Sequence, residues 1–376
     1  MIIKFNIPFY PKSIKKNINL VLKSNKLTDG NFRDVGEKHL EKLLSSKKIF
    51  LTQSCTSALE ACISICNIGY GDEVIVPSYT FTSSANSILL NSAKPVFADV
   101  DLNTLNLDPK DVERKITKKT KAILVVHYNG YSDNINQLLN LKKKYNLYLI
   151  EDCAHSIYSK YKNKFLGTFG DLGAFSFHET KNFPAGQGGA LSVNNSKLIK
   201  KATIYCDKGT DRSFIGKKGY YSWKGMGSEI RATEITSAII YSQILSLHKI
   251  KSKRKQIWNL YKKYLENLKQ NLFFLPKYNL NNSEFSYHIF PIIFFKKNIR
   301  LKFEKYMLKE GVECFFHYFP LHLSSSGKKF SKIKLKNTEL IYNGLTRLPI
   351  YPNLSIPQVK KIISKIFKFV YLYERK

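Results

Sequence analysis

From about residue 40 onward, short runs of β-branched and other apolar residues alternate with longer stretches in which apolar positions recur at helical spacing. The pattern predicts strands over Glu73 to Pro77, Pro95 to Val100, Lys121 to His127, Leu147 to Asp152, Ala174 to His178 and Ala190 to Val193. Several of these runs are apolar on both faces, as expected when helices cover both sides of a parallel sheet. Between them, Ser57 to Ile68, Ser83 to Asn91, Asp108 to Ile116 and Asn134 to Tyr145 carry helical spacing, with Ser132 or Asp133 as candidate cap of the last. This rhythm is that of crossover units, an α/β fold with a mostly parallel central sheet and helices on both faces.

After Glu234 comes a long helical pattern, and from about Ile250 a Lys-rich stretch opens a different rhythm. There a shorter strand, Tyr287 to Phe295, mixes with helices over Ile299 to Glu310 and Ile356 to Leu372. We expect a large domain over 1–245 and a smaller C-terminal α/β domain over 246–376. That count suits a chain of 376 residues.

Composition narrows the class. With 43% hydrophobic and 24% charged residues the chain reads as globular, and no apolar run approaches the ~18 residues that span a bilayer. The N-terminus is broken by Lys4 and Pro8 before a signal-peptide apolar stretch can form. Six cysteines without a C-x-x-C pair or zinc-like spacing give neither a disulfide framework nor a metal site. A reducing cytoplasm, without membrane insertion, is the expectation. The net charge of +33 raises nucleic acid as a partner. Most of the excess is dispersed lysine, a solvated point charge, whereas base and phosphate grips favour Arg, so no nucleic-acid partner is expected. The positive field suits steering of a phosphorylated substrate.

Residues just after the strands carry the candidate chemistry, because ligands gather at the carboxyl ends of open α/β sheets. Glu151-Asp152-Cys153-Ala154-His155 places an acid at the end of a buried strand, where an unpaired carboxylate is costly and calls for a cation. A protonated pyridine nitrogen meets that need; a helix cap or a surface Lys partner would also do so. Ser176-Phe177-His178-Glu179-Thr180-Lys181-Asn182 leads from a strand end into Gly186-Gln187-Gly188-Gly189. A lysine sheltered there loses basicity, as amine attack on an aldehyde requires. The hydroxyl-rich turn Thr52 to Ser57 opens a helix, and its free N–H groups suit a phosphate as well as an ordinary cap. Phe81, in Pro77-Ser78-Tyr79-Thr80-Phe81, is either a stacking ring or core. His317 and His322 are open between substrate contact and loop packing.

Together, Ser176-Phe177-His178-x-Thr180-Lys181-Asn182, Glu151-Asp152-x-Ala154-His155 and Thr56-x-Ala58-Leu59 resemble the sugar aminotransferases of the DegT/DnrJ/EryC1/StrS family. The likeness runs from Thr28-Asp29-Gly30 through Phe316-His317-Tyr318-Phe319-Pro320-Leu321-His322 to Arg347-Leu348-Pro349. It implies the aspartate aminotransferase-like fold type I of pyridoxal 5'-phosphate (PLP) enzymes. Lys181 would form the Schiff base with PLP and shuttle protons, Asp152 would hold the pyridine nitrogen, and His155 would lie by the phenolic oxygen. Phe81 would stack on the ring, and Thr56, Ser57 and Ser176 would bind the phosphate. His322 and His317 would flank the sugar.

The implied reaction moves an amino group from L-glutamate to C4 of a dTDP-linked 4-keto-6-deoxy sugar, for a surface polysaccharide such as O-antigen. Amination at C3, or of a UDP- or GDP-linked sugar, is the nearest rival, and a regulatory or nucleic-acid-binding protein the rival of another class. A homodimer with shared active sites is implied too. Two positions depart from the family pattern: Gln187 stands where many members have Glu, and Glu229 where an Asn reaches the partner's phosphate group. A carboxylate there would repel phosphate.

Overall fold

The computed structural model describes residues 2–215, 219–266, 268 and 271–374. In chain order come α1 (Ser13–Ser24), α2 (Asn31–Leu44), β1 (Lys48–Thr52), α3 (Cys55–Ile65), β2 (Glu73–Pro77), α4 (Thr82–Leu90) and β3 (Lys94–Ala98). They are followed by α5 (Pro109–Lys115), β4 (Thr120–Val126), α6 (Ile135–Tyr145), β5 (Tyr148–Cys153), β6 (Lys160–Tyr161), β7 (Lys164–Phe165), β8 (Leu172–Ser176) and β9 (Gly189–Val193). Then come α7 (Ile199–Cys206), α8 (Arg212–Ile215), α9 (Glu234–Ile244), α10 (Leu247–Leu265), β10 (Phe273–Phe274), β11 (Ser283–Glu284) and β12 (Phe290–Phe294). The chain closes with α11 (Lys297–Lys309), α12 (Lys336–Gly344), β13 (Leu345–Leu348) and α13 (Ile356–Glu374).

Seven strands form the central sheet in the order β1-β9-β8-β5-β4-β2-β3. Only β9 runs against its two neighbours, so the sheet is mostly parallel. The period-2 alternation of a strand sends successive side chains to opposite faces. Accordingly Val74 and Val76 enter one buried apolar cluster, with α3, α4 and α7, while Ile75 enters a second, with α2, α6 and α9. This two-sided burial explains why these strands read as continuous apolar runs.

The antiparallel sheet β10-β12-β13 builds a separate aromatic core with Trp258 and Tyr261 of α10, Phe303 of α11 and Phe369 of α13. Among the links that tie the halves of the chain together, β11 pairs with β6 and Ile3 bridges Val312.

The predicted strands and helices of the first 193 residues are present with shifted ends, and the differences have local causes. The long pattern after Glu234 is two helices, separated at Leu245–Ser246. Neither Ser132 nor Asp133 caps α6: its N-cap is Asn134, which makes no capping bond, its Oδ1 accepting from the Ser132 hydroxyl at 3.4 Å and its amide donating to the Leu107 carbonyl. The strand expected from Tyr287 begins only at Phe290. Its first residues are held by side chains, Arg254 donating to the Tyr287 and His288 carbonyls and Asn129 accepting from the Ile289 N–H. The strand expected over Ala174 to His178 ends at Ser176, which frees Phe177 onward to form a turn.

Candidate active site

The carboxyl ends of β5 and β8 and the head of α3 meet the 315–318 segment and the end of β13 around a cavity of about 790 Å³. That size suits a cofactor with its substrate. Thr56, Phe81, Asp152, His155, Ser176, Lys181 and His317 all line it. A second cavity of about 830 Å³, between Asp101, Asp133 and Lys277, contains none of the candidate catalytic, cofactor or substrate residues.

Lys181 lies in the turn between β8 and β9. Backbone bonds from Phe177 to Gly188, Glu179 to Gly186, Lys181 to His178 and Ala185 to Phe177 close that turn. Gly189 then permits a close approach: a Cβ there would lie 2.4 Å from the Ser54 carbonyl carbon and 2.5 Å from the Cys55 nitrogen. The lysine is therefore brought against the head of α3. Burial, opposed by Cys55 and Asp152 and aided by Arg347, holds the Lys181 amine at about 8 rather than 10.5. A substantial fraction of it is neutral near physiological pH.

Asp152, at the end of β5, is 5% exposed. Its two oxygens accept from Ser84 Oγ at 2.8 Å and from the Ala154 N–H at 3.1 Å. Burial raises its pKa, the two hydrogen bonds and the Lys181 and His127 charges oppose that rise, and no cation within ion-pairing distance answers it among the described residues. It is a buried acid with room for a cationic partner.

The head of α3 is shaped for an anion. Ser54 and Ser57 form a reciprocal capping box, Ser54 Oγ accepting from the Ser57 N–H and Ser57 Oγ from the Ser54 N–H. This arrangement commits the Ser57 side chain to the helix, and the cavity is lined by Ser54, Cys55 and Thr56 instead. Thr56 Oγ1 lies 2.8 Å from Ser83 Oγ, and Ser176 Oγ accepts from the His178 N–H at 3.3 Å. Hydroxyls and a helix N-terminus thus converge on one end. Phe81, 60% exposed, presents its ring at the cavity with Tyr318 at 6.3 Å.

His155 is kept neutral by burial and by the Lys181, His288, His317 and Arg347 charges. Its Nδ1 accepts from the Asn129 N–H at 3.3 Å, which assigns the ring proton to Nε2. That nitrogen is a donor, 3.4 Å from the Tyr318 hydroxyl.

The two later histidines, both expected beside the sugar, stand in different places. His317 lines the cavity, its ring stacked on Tyr318 at 3.9 Å. His322 does not reach the cavity; it is buried with Nδ1 2.6 Å from Ser78 Oγ and Nε2 3.4 Å from Glu339. The packing role of a buried, doubly bonded histidine accounts for it. Glu229 pairs with Lys208 of its own chain. Gln187 lines the cavity.

Sequence reading passed over Ser83, Ser84, Arg254, His288 and Arg347. The last three come from segments more than 60 residues beyond Lys181, and no local spacing signals them. The buried trio His127, Glu151 and Cys153 sits close enough to resemble a metal set, but both Glu151 oxygens are already occupied, by His127 and the Gly167 and Gly170 N–H groups.

An aldehyde cofactor with a basic ring nitrogen and a phosphate fits these groups together: a weakly basic buried amine, an unanswered acid and an anion cradle. By fold and site the protein is a PLP-dependent enzyme of fold type I. The profile of the DegT/DnrJ/EryC1/StrS aminotransferase family matches residues 10–367, and the chain belongs to that family. It is 31% identical to an uncharacterized protein of Methanocaldococcus jannaschii, covering 96% of this chain and 97% of that one. It is also 31% identical to dTDP-3-amino-3,6-dideoxy-alpha-D-galactopyranose transaminase of Aneurinibacillus thermoaerophilus, with 96% of each covered. Among solved structures, Helicobacter pylori PseC, an aminotransferase involved in pseudoaminic acid biosynthesis, superposes with a TM-score of 0.89. Its identity is 28%, over 98% of this chain and 99% of that one.

Proposed function

We propose that this aminotransferase moves an amino group from L-glutamate to a nucleotide-linked keto sugar. The observation that carries the reading is the Lys181 amine, held near a pKa of about 8 in the same cavity as the unanswered Asp152 carboxylate. The sugar class is supported by the relative named as a dTDP-sugar transaminase.

PLP, when bound, supplies an aldehyde carbon open to amines and a ring that takes up the electron pair released at the substrate carbon. Asp152 would keep the ring nitrogen protonated. The N–H groups at the head of α3, with Thr56 Oγ1 and Ser176 Oγ, would hold the phosphate; Ser57 would act through the backbone turn it braces. His155 Nε2–H would donate to the phenolic oxygen, and Phe81 would cover the ring. Lys181 Nζ would take the proton from the α-carbon of glutamate and later deliver one to the aminated sugar carbon. His317 would contact the sugar.

The finer reading is amination at C4 of dTDP-4-dehydro-6-deoxy-D-glucose to dTDP-4-amino-4,6-dideoxy-D-galactose, for a surface polysaccharide such as O-antigen, in the cytoplasm. It rests on the motif likeness of residues 176–182, 77–81 and 317–322. Amination at C3 is the second reading, favoured by the name of the A. thermoaerophilus relative. We place the division between two lobes at 245/246, where α9 gives way to α10. A homodimer would cover the exposed Tyr220, Tyr221, Trp223 and Met226. No helix among the described residues is long and apolar enough to cross a membrane.

The test is reduction of the purified, cofactor-loaded protein with borohydride, followed by peptide mass mapping. A pyridoxyl group on Lys181 is expected; a colourless protein that takes up no PLP refutes the reading. Glutamate with dTDP-, UDP- and GDP-linked keto sugars, with the products resolved by NMR, decides the sugar. A C3 amine refutes the finer assignment.

A further inference from the structure

Helices α11 and α13 each bury one side in the aromatic core, against the sheet face that presents Phe290, Ile292 and Phe294 of β12. They lie side by side there: the Phe303 and Phe369 rings meet at 5.2 Å, and Lys365 of α13 pairs with Glu310 at the end of α11. Because both cover the same sheet face, their opposite sides look outward together. No residue of either helix lines the active-site cavity.

The outward stripe of α11 carries Leu301, Lys302, Lys305, Leu308 and Lys309, all exposed. That of α13 carries Lys360, Lys361, Ser364, Phe367, Lys368 and Leu372, exposed as well. Leu301, Leu308, Phe367 and Leu372 are 49%, 57%, 39% and 46% exposed, which makes one apolar patch across two adjoining helices rather than scattered single side chains. Three of the four are followed directly by lysine, as Leu301-Lys302, Leu308-Lys309 and Phe367-Lys368. A lysine stem lies along apolar surface while its ammonium reaches past it. Among the described residues neither stripe contains an acid: Glu304 is held by Arg300 at 2.9 Å, and Glu310 by Lys365.

This chemistry selects the occupant. Aliphatic side chains set among ammonium groups match a surface that is anionic outside and apolar just beneath, which is that of an anionic phospholipid bilayer. A second copy of the chain would bring lysine against lysine. Nucleic acid is gripped by guanidinium forks and flat rings, whereas the two stripes contain no Arg and three of the four apolar side chains are leucines.

We propose that the outer face of α11 and α13 seats the protein on anionic phospholipid membranes. Leu301, Leu308, Phe367 and Leu372 enter the headgroup boundary, and the lysines beside them meet the lipid phosphates. The helices lie on the bilayer and do not span it, and the active-site cavity, lined from other elements, stays open to solutes.

The test is co-sedimentation of the full-length, cofactor-loaded protein with vesicles of phosphatidylcholine alone or with about 30% phosphatidylglycerol. Affinity for the anionic vesicles should be at least about tenfold higher, and should fall at least about tenfold between about 0.1 M and about 0.5 M salt. Lys305→Glu/Lys361→Glu/Lys368→Glu should bind them at least about tenfold more weakly. Leu308→Ser/Phe367→Ser, with the charge intact, should lose at least about fivefold. Lys118→Glu/Lys121→Glu/Lys143→Glu makes the same change of charge at exposed positions of β4, α6 and the turn before β4, and should stay within about threefold. Far-UV circular dichroism and cofactor absorbance should be the same for every variant. Equal losses in the two lysine variants assign binding to net charge alone and overturn the face. Full binding by Leu308→Ser/Phe367→Ser, or capture of heparin without binding to anionic vesicles, overturns the bilayer as its occupant.

Discussion

Asn182 and His288 are hydrogen-bonded, Oδ1 to Nδ1 at 2.7 Å, although 106 residues separate them. The Asn182 amide also donates to the Ser286 carbonyl at 2.8 Å, so the turn carrying Lys181 is fastened to the segment that enters β12. Asn182→Ala strands a buried donor and a buried acceptor, which costs about 2 kcal/mol. Urea unfolding should show that loss, with a fall in kcat exceeding any fall in cofactor content. Unchanged stability and kcat would contradict this fastening role.

Lys181 should react as an amine of pKa about 8. The neutral form is the nucleophile, so its acylation in the cofactor-free protein rises with pH and is half-maximal near pH 8, against about 10.4 for exposed lysines. Peptide mass mapping across a pH series reads this directly. The linked effect on stability has a definite sign. Because the folded state binds this proton more weakly than the unfolded state, stability rises from about pH 8 to about pH 10.4, and that gain is lost below pH 8. A midpoint at Lys181 above pH 10 would refute the sheltered environment.

Asp152→Asn preserves an acceptor for the Ser84 hydroxyl but removes the charge facing the cavity. Cofactor should still load, and kcat should fall at least about 100-fold because the ring loses its protonated nitrogen. Retention of full activity with Asn at this position would remove Asp152 from the mechanism.

Gly189→Ala drives a Cβ into the Ser54–Cys55 peptide, where backbone cannot yield cheaply. We expect a loss of about 1–3 kcal/mol and faster dissociation of the cofactor phosphate end. Equilibrium dialysis against PLP and thermal melting check both.

His322→Ala and His317→Ala should separate cleanly. The first removes the ring nitrogen that accepts from the buried Ser78 hydroxyl, leaving only the backbone N–H of residue 322 on that oxygen, and lowers stability by about 1–3 kcal/mol, with little change in KM for the sugar. The second should leave stability nearly unchanged and raise that KM, since His317 lines the cavity. The reverse pattern would restore His322 to the substrate.

Lys181 and Asp152 were legible because each lies at or beyond the end of a strand whose burial is written in consecutive apolar residues, and strand ends are where an α/β sheet places its ligands; the Thr56 turn showed only as a hydroxyl-rich helix start, since β1 before it was not predicted. The family likeness likewise lay in short contiguous motifs. The fold class followed from the same alternation of apolar runs and helical spacing. Local pattern said nothing about partners far along the chain. Ser57 reads as a phosphate ligand in the sequence, and only the folded turn shows that its hydroxyl closes the capping box with Ser54. His317 and His322, five positions apart and alike in sequence, part company because one stacks on Tyr318 in the cavity wall and the other turns under Ser78. Arg347 read only as part of the Arg-Leu-Pro stretch where the family likeness ends; that no carboxylate among the described residues pairs with it is decided only once β13 packs beside Phe5 and Phe315. By itself the sequence determined which elements form and which residue types stand at their ends, since those depend on burial periodicity along one segment. Tertiary structure decided which polar atoms remain without a partner, because satisfaction of a buried donor or acceptor depends on segments that meet only on folding.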